Sequence, residues 1–190
     1  MKGPKRIIGI SGKAGSGKDT LAKFLQEILP HIDNIPCYEI VHFADPLKEA
    51  VETACMLDTW YTRTQEGKKT EIEWLDKMTV REVLQKFGTA IREGVHPDFW
   101  VRALMEGTDG WDIIIPDVRF PNEAEEIRKR GGILIRIERK GSGAGDHISE
   151  TALDDYDKWN MVIFNDYDLD TLKEQAKTIV KCYHDYLYNS

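Results

Sequence analysis

The chain predicts an α/β fold in which a parallel sheet carries helices on both faces. Three features point there. Short, β-branched apolar runs alternate with amphipathic helical segments along the 190 residues. The first run opens straight into a glycine-rich loop and then a helix. A later run, Ile113-Ile114-Ile115, has no polar residue to turn toward water, as in a strand covered on both sides. In such sheets ligands bind beyond the carboxyl ends of the strands.

Taken in order, Arg6 to Ile10 reads as a buried strand closed by Ser11-Gly12. From Thr20 to Leu29, the residues Leu21, Phe24, Leu25, Ile28 and Leu29 share one helical face, and Pro30 ends the helix. Tyr38 to Phe43 is the second strand. Asp45-Pro46 then reads as a helix start, with Asp45 as cap, ahead of Leu47, Val51 and Ala54. Residues 58–77 are polar apart from Trp60 and Trp74 and yield only loop and short helix. Thr79 and Glu82 form a capping box for a helix through Val83, Leu84 and Phe87, and Pro97 to Met105 makes another helix. After the strand at 113–115, a helix runs from Asn122 to Arg130 and stops at Gly131-Gly132. Strands at 133–137 and 161–164 bring the sheet to five. A closing helix from Leu169 to Tyr186 presents Leu172, Ala176, Ile179, Val180 and Tyr183 as one stripe.

This length suits one domain with a real core. The net charge of −7 lowers the expectation of a nucleic-acid partner while leaving room for a local basic pocket. Cys37, Cys55 and Cys182 form no C-x-x-C pair, which speaks against zinc or a disulfide framework and for a reducing cytoplasm; all three are expected in the core or an interface. The basic start, Met1 to Arg6, is followed by too short an apolar stretch for a signal segment. No run approaches the ~20 apolar residues needed to span a bilayer, so no membrane partner is expected.

The sharpest motif is Gly12-Lys13-Ala14-Gly15-Ser16-Gly17-Lys18-Asp19-Thr20. It fits the phosphate-loop pattern G-x-x-x-x-G-K-[ST] except at its last position. Three glycines let successive backbone N–H groups converge on one centre, and the following helix start adds partial positive charge there. Lys18 supplies a full charge for the β- and γ-phosphates of a bound ATP. Asp19 stands where Ser or Thr is usual. Its carboxylate suits Mg²⁺, directly or through water, or else it caps the helix. Thr20 either reaches the α-phosphate or packs.

A second carboxylate, Asp117, follows the apolar strand at 113–115, where a phosphate-loop fold keeps an aspartate for Mg²⁺; the alternative is a helix cap. Arg119, two residues on, suits a bidentate grip on an acceptor phosphate or a surface ion pair. Arg136, Arg139 and Lys140 precede the glycine-rich stretch 141–146, and His147 closes it. That arrangement reads as a lid of cations on a loop, or as an exposed hairpin. Arg81 and Arg92 lie in the segment where small-molecule kinases place acceptor contacts, together with Trp60, Trp74, Phe99 and Trp100. The spacing of Trp100 to Leu104 favours a core position for Trp100.

Four blocks carry a resemblance: the Lys-Asp variant of the loop, His42-Phe43-Ala44-Asp45-Pro46-Leu47-Lys48, Asp117-Val118-Arg119-Phe120-Pro121-Asn122-Glu123, and His147-x-Ser149-Glu150. Together they resemble the deoxynucleoside monophosphate kinases of tailed bacteriophages over roughly residues 6–185. Animal phosphomevalonate kinases share the loop variant and the last block. The resemblance implies a phosphate-loop fold of the nucleoside monophosphate kinase kind, with a five-stranded parallel sheet. It implies an acceptor-binding insertion at about 46–106 and a lid at about 136–156. It further implies ATP and Mg²⁺ as cofactors, and transfer of a phosphoryl group to a deoxynucleoside monophosphate (dNMP) that supplies dNTP precursors in the cytoplasm, the host's if phage-encoded. Carried over, Gly15 to Thr20 hold the donor phosphates, within an ATP site at residues 12–20, and Asn165 begins the segment, through Leu169, that lines the adenine. Asp45 and Arg119 face the acceptor, and Arg136 or Arg139 belongs to the lid; Lys48, Arg81, Arg92 and Asp117 are further candidates for the acceptor, and Lys18, Arg119, Arg136 and Arg139 are the candidates for catalysis. Related kinases are often dimers. Another phosphorylated metabolite as acceptor, or a non-catalytic nucleotide-binding module, are the alternatives.

Overall fold

Five parallel strands run in the order β4-β7-β1-β8-β9, where β1 is Arg6–Ser11, β4 Tyr38–Ile40, β7 Asp112–Ile115, β8 Ile133–Glu138 and β9 Met161–Phe164. The computed structural model describes residues 6–29, 31–32, 35–142 and 151–189. These divide into two compact units: one is formed by residues 1–42 with 108–190 and carries the sheet, the other is Phe43–Gly107. The stretch 143–146, expected as the glycine-rich loop of a lid, lies outside the described residues, as do His147, Ser149 and Glu150.

Alternation along β1 builds both sides of the sheet. Ile8 and Ile10, fully buried, point into a cluster with Leu21, Ala22 and Leu25 of α1 (Lys18–Ile28) and Leu172, Ala176, Ile179 and Tyr183 of the final helix, α7 (Leu169–Asn189). On the opposite side, Gly9 lets α6 (Pro121–Lys129) approach: a Cβ there would come within 2.7 Å of Ile127 and 2.8 Å of Leu134. Helices thus cover both faces, and Ile113, Ile114 and Ile115 are each 0% exposed. Gly131, at φ 76°, supplies the left-handed turn that stops α6 before β8.

β4 is shorter than expected: Val41 still donates to the Ile114 carbonyl at 3.0 Å, but residues 41–42 leave the ladder there. A small antiparallel pair, β2 (His31–Ile32) and β3 (Ile35–Pro36), lies between α1 and β4, where no strand was expected. Cys55 is buried and Cys37 half-buried, while Cys182, expected in a core or interface, is exposed.

The unit Phe43–Gly107 packs α2 (Asp45–Cys55), α3 (Thr59–Arg63) and α4 (Val80–Gly94) around Val51, Cys55, Ile72, Val80 and Val83, and also holds α5 (Phe99–Gly107). A hairpin of β5 (Glu71–Ile72) and β6 (Met78–Thr79) fills the stretch that resisted assignment. The Thr79–Glu82 capping box forms as expected. Trp100 is core, its indole N–H donating to the Gly88 carbonyl at 3.1 Å, whereas Trp60 and Trp74 are exposed. Asp45 does not cap α2. The helix already includes it, Ala44 holds the cap position, and the Asp45 carboxylate pairs with cations instead.

Ile114→Ala, which empties a position sealed on both faces, is expected to lower stability by about 2–5 kcal/mol in urea unfolding; an unchanged midpoint would contradict the packing described.

Candidate active site

The loop between β1 and α1 is shaped by what its glycines permit. Gly15 and Gly17 sit at φ 77° and 101°, a region costly for any residue with a Cβ. A Cβ at Gly12 would run into the Ile137 carbonyl oxygen and lie 2.6 Å from Ser16 Oγ. The loop closes on itself through Ser16 N–H to the Lys13 carbonyl at 3.1 Å, and Lys18 Nζ donates to the same carbonyl at 2.8 Å. Gly17 holds the cap position of α1 and no side chain caps that helix end, so its first N–H groups keep the arrangement that binds anions. Ser16 Oγ is buried and has no hydrogen-bond partner among the described residues. A buried orphan hydroxyl, convergent N–H groups and a lysine together fit a phosphate. Asp19 is not the cap; it lies in the first turn of α1, its side chain 79% exposed, with His42 Nε2 4.0 Å from its Oδ1.

Because the sheet is parallel, the ends of β1, β7, β8 and β9 open on one edge, and most of the expected site residues gather there. Asn165, just past β9, is buried and donates from Nδ2 to the Ser16 carbonyl at 2.9 Å. Its amide N–H therefore braces the loop, and Gly17 is required beside it, since a Cβ would fall 2.5 Å from Nδ2. Arg136 lies within the expected strand, apart from the turn that carries Arg139 and Lys140. It lies in β8 opposite Ser11 of β1, is 8% exposed, and donates to Ser11 Oγ at 3.2 Å. Asp154, which the sequence reading missed, joins Arg136 to the loop: its Oδ1 takes the guanidinium at 3.4 Å and its Oδ2 takes Lys13 Nζ at 3.2 Å. Trp159 lies under the same guanidinium, 5.7 Å from ring centre to Cζ. Nothing in the local sequence around Asp154 marks it, because its partners are 18 and 141 residues away. Arg139 and Lys140 do lie on an exposed turn after β8; the Lys140 backbone N–H and ammonium both engage Asp166.

Past β7, Asp117 and Arg119 flank Val118, which is buried and donates its N–H to the Ile10 carbonyl at 3.2 Å. Glu123, in the first turn of α6, accepts from the Arg119 and Phe120 N–H groups at 2.7 and 3.0 Å. Burial lifts its carboxyl from the ordinary 4.5 to about 7; the two backbone N–H bonds and the Arg119 charge oppose that rise, and the Asp117 charge adds to it.

The remaining expected residues belong to the unit Phe43–Gly107. Asp45 Oδ1 binds Lys48 Nζ at 3.0 Å and the Arg63 guanidinium at 3.2 Å. Arg63, also missed in the sequence, reaches Glu52 as well, at 3.6 Å. Arg81 donates to Gln65 at 2.8 Å, and Arg92 is exposed in the last turn of α4.

Among the described residues no cluster of three or more His, Cys, Asp or Glu side chains is arranged to hold a metal by itself. No helix among the described residues is long and apolar enough to cross a membrane.

A glycine-rich loop at the carboxyl edge of the middle strand, with a lysine turned back over it, defines a P-loop nucleotide-phosphate-binding fold. The family model for deoxynucleotide monophosphate kinases matches residues 57–176. A putative deoxynucleotide monophosphate kinase of Acanthamoeba polyphaga mimivirus is 34% identical, over 93% of this chain and 95% of its own. The deoxynucleoside-5'-monophosphate kinase of Escherichia phage T5 is 25% identical, over 77% of this chain and 84% of its own. The chain belongs to the deoxynucleotide monophosphate kinase family. Among solved structures, the Mycobacterium tuberculosis APS kinase CysC with AMPPNP and APS is similar at 12% identity and a TM-score of 0.49, covering 97% of this chain and 99% of that one. A gluconokinase from Sinorhizobium meliloti 1021 is similar at 12% identity and a TM-score of 0.47, covering 99% and 98%.

Two outcomes are expected from this geometry. Gly12→Ala forces the loop off the Ile137 carbonyl and weakens nucleotide binding at least tenfold, or about 1.4 kcal/mol, by calorimetric titration with ADP. For Glu123, the folded pKa is about 7 against an ordinary 4.5, so between those values the folded protein holds a proton that the unfolded chain has lost. Its contribution is therefore fully present below pH 4.5 and lost as pH rises through 7. Glu123→Gln should flatten that part of the stability–pH curve, and an identical slope in wild type and variant would contradict the assignment.

Proposed function

We propose that the protein transfers the γ-phosphoryl group of Mg²⁺-bound ATP to a deoxynucleoside monophosphate, giving ADP and the deoxynucleoside diphosphate. The observation that carries this reading is the loop: a self-closed backbone cradle with Lys18 over it, in a chain of the dNMP kinase family. Phosphoryl transfer leaves a protein chiefly the tasks of positioning and charge stabilisation. In this reading the N–H groups of residues 13–20 hold the donor phosphates, and Lys18 exchanges the Lys13 carbonyl for a phosphate oxygen. Asn165 keeps the loop in its receiving shape through Ser16. Asp19 and Asp117 are the residues that would hold Mg²⁺, which neutralises charge on the transferring group.

Arg119 grips the acceptor phosphate, and Arg136 and Arg139 supply positive charge near the donor. Asp45, Lys48, Arg81 and Arg92 serve the acceptor nucleotide from the second unit. A general base is unnecessary, because a phosphate monoester oxygen is already anionic and attacks directly. Cytoplasmic action on a small-molecule acceptor, without nucleic acid, membrane or obligatory partner beyond a second copy, completes the reading.

Incubation with Mg-ATP and each dNMP, followed by separation of nucleotides, should give ADP and a dNDP in equal amounts. Lys18→Ala should lower kcat/KM at least a hundredfold, with the circular dichroism spectrum unchanged. Absence of turnover on every dNMP would reject this acceptor. Full activity of Lys18→Ala would reject the loop as donor site.

A further inference from the structure

We propose that Glu123 is a positioning residue: it fixes the peptide that carries Arg119, and so sets where the guanidinium meets the acceptor phosphate. The proposal rests on Arg119 gripping that phosphate, as read above.

Three successive N–H groups in the turn between β7 and α6 are tied down. Val118 N–H goes to the Ile10 carbonyl at 3.2 Å, and Arg119 and Phe120 N–H groups go to Glu123 Oε2 at 2.7 and 3.0 Å. The peptide planes on both sides of the Arg119 Cα are thereby held, one through Arg119 N–H and the next through Phe120 N–H. Only the side-chain torsions of Arg119 remain to be chosen.

Capping alone does not call for such a residue. Glu82 performs the ordinary task in α4, accepting from the Thr79 N–H at 2.7 Å while exposed to water, and the Thr79 bonds hold its carboxyl below the usual range. Glu123 is 8% exposed and also binds the N–H one residue before the cap position. Burying a carboxylate is costly. A helix end that needed only a cap would be served by an exposed residue of the Glu82 kind. What burial adds is rigidity in the segment bearing Asp117 and Arg119, both near enough to act on the Glu123 carboxyl by their charge.

The test is a double-mutant cycle in steady-state kinetics on the full chain, using Glu123→Ala, Glu123→Gln, Arg119→Ala and Glu123→Ala combined with Arg119→Ala. Glu123→Ala should raise KM for the dNMP about tenfold and leave KM for ATP within about twofold. Glu123→Gln should recover most of that loss, since its carboxamide oxygen accepts the same N–H groups. On the Arg119→Ala background, Glu123→Ala should add nothing to the dNMP KM.

An equal fold-change in both backgrounds, or a matching rise in both KM values, overturns the positioning role while leaving Arg119 as acceptor residue. An unchanged dNMP KM in Arg119→Ala alone overturns the acceptor reading itself. Should Glu123→Ala not fold, Glu123→Asp takes its place: one methylene short of both N–H groups, it should show the same split between the two KM values, and wild-type values would overturn the proposal.

Discussion

Everything at the carboxyl edge of the sheet depends on a backbone loop that must be approached closely and from which side chains must be kept away. The space where a Gly12 side chain would stand is already filled by the Ile137 carbonyl and Ser16 Oγ. Gly17 is excluded from carrying one by both its φ of 101° and the Asn165 amide. The curl is held by bonds that use no ligand: Ser16 N–H and Lys18 Nζ to one carbonyl, and Asn165 to another. A cradle organised before its ligand arrives loses less on binding than one that must be ordered.

The charges around the loop follow a related economy. Asp154 takes both Arg136 and Lys13, so two cations stay beside the loop without being buried unpaired. The Lys13 pair is not tight: Lys13 and Asp154 are each about one-third exposed, and such pairs are worth roughly 0–1 kcal/mol. Lys13, held this weakly, remains available to a phosphate, whereas Arg136 is buried and held by Ser11 as well. At the neighbouring strand end the balance differs. Glu123 is sealed from water and spends its acceptor capacity on backbone N–H groups, which stiffens the turn carrying Asp117 and Arg119.

Much of this was legible in the sequence where a local rule governs. The alternation of strands and helices, the buried Ile113–Ile115 strand, the Thr79–Glu82 box and the Gly131 stop all depend on residues within a few positions of one another. The phosphate loop belongs to the same class, since spacing and flanking elements define it. Other features turn on distant partners. The resemblance put Asn165 at the start of the segment lining the adenine, but no local signal announced that its Nδ2 donates to a carbonyl 149 residues earlier. Arg136 groups with Arg139 and Lys140 as a lid cation in the sequence although it falls inside the expected strand at 133–137; pairing with Ser11 of β1 draws it inside, and pairing with β9 carries the strand on through Glu138. Asp45 carried a cap signature with Pro46, and lost that role to the cations Lys48 and Arg63. Asp154 and Arg63 had no local signal; only folding brings their partners to them.

The central claim is that the backbone of residues 12–20 receives the donor's phosphates, and amide chemical shifts report on that directly. In a ¹⁵N-labelled sample titrated with ADP, the resonances of Gly15, Ser16, Gly17, Lys18 and Asp19 should move most and saturate together. Saturation with these five unmoved, and the largest shifts elsewhere in the chain, would contradict the account.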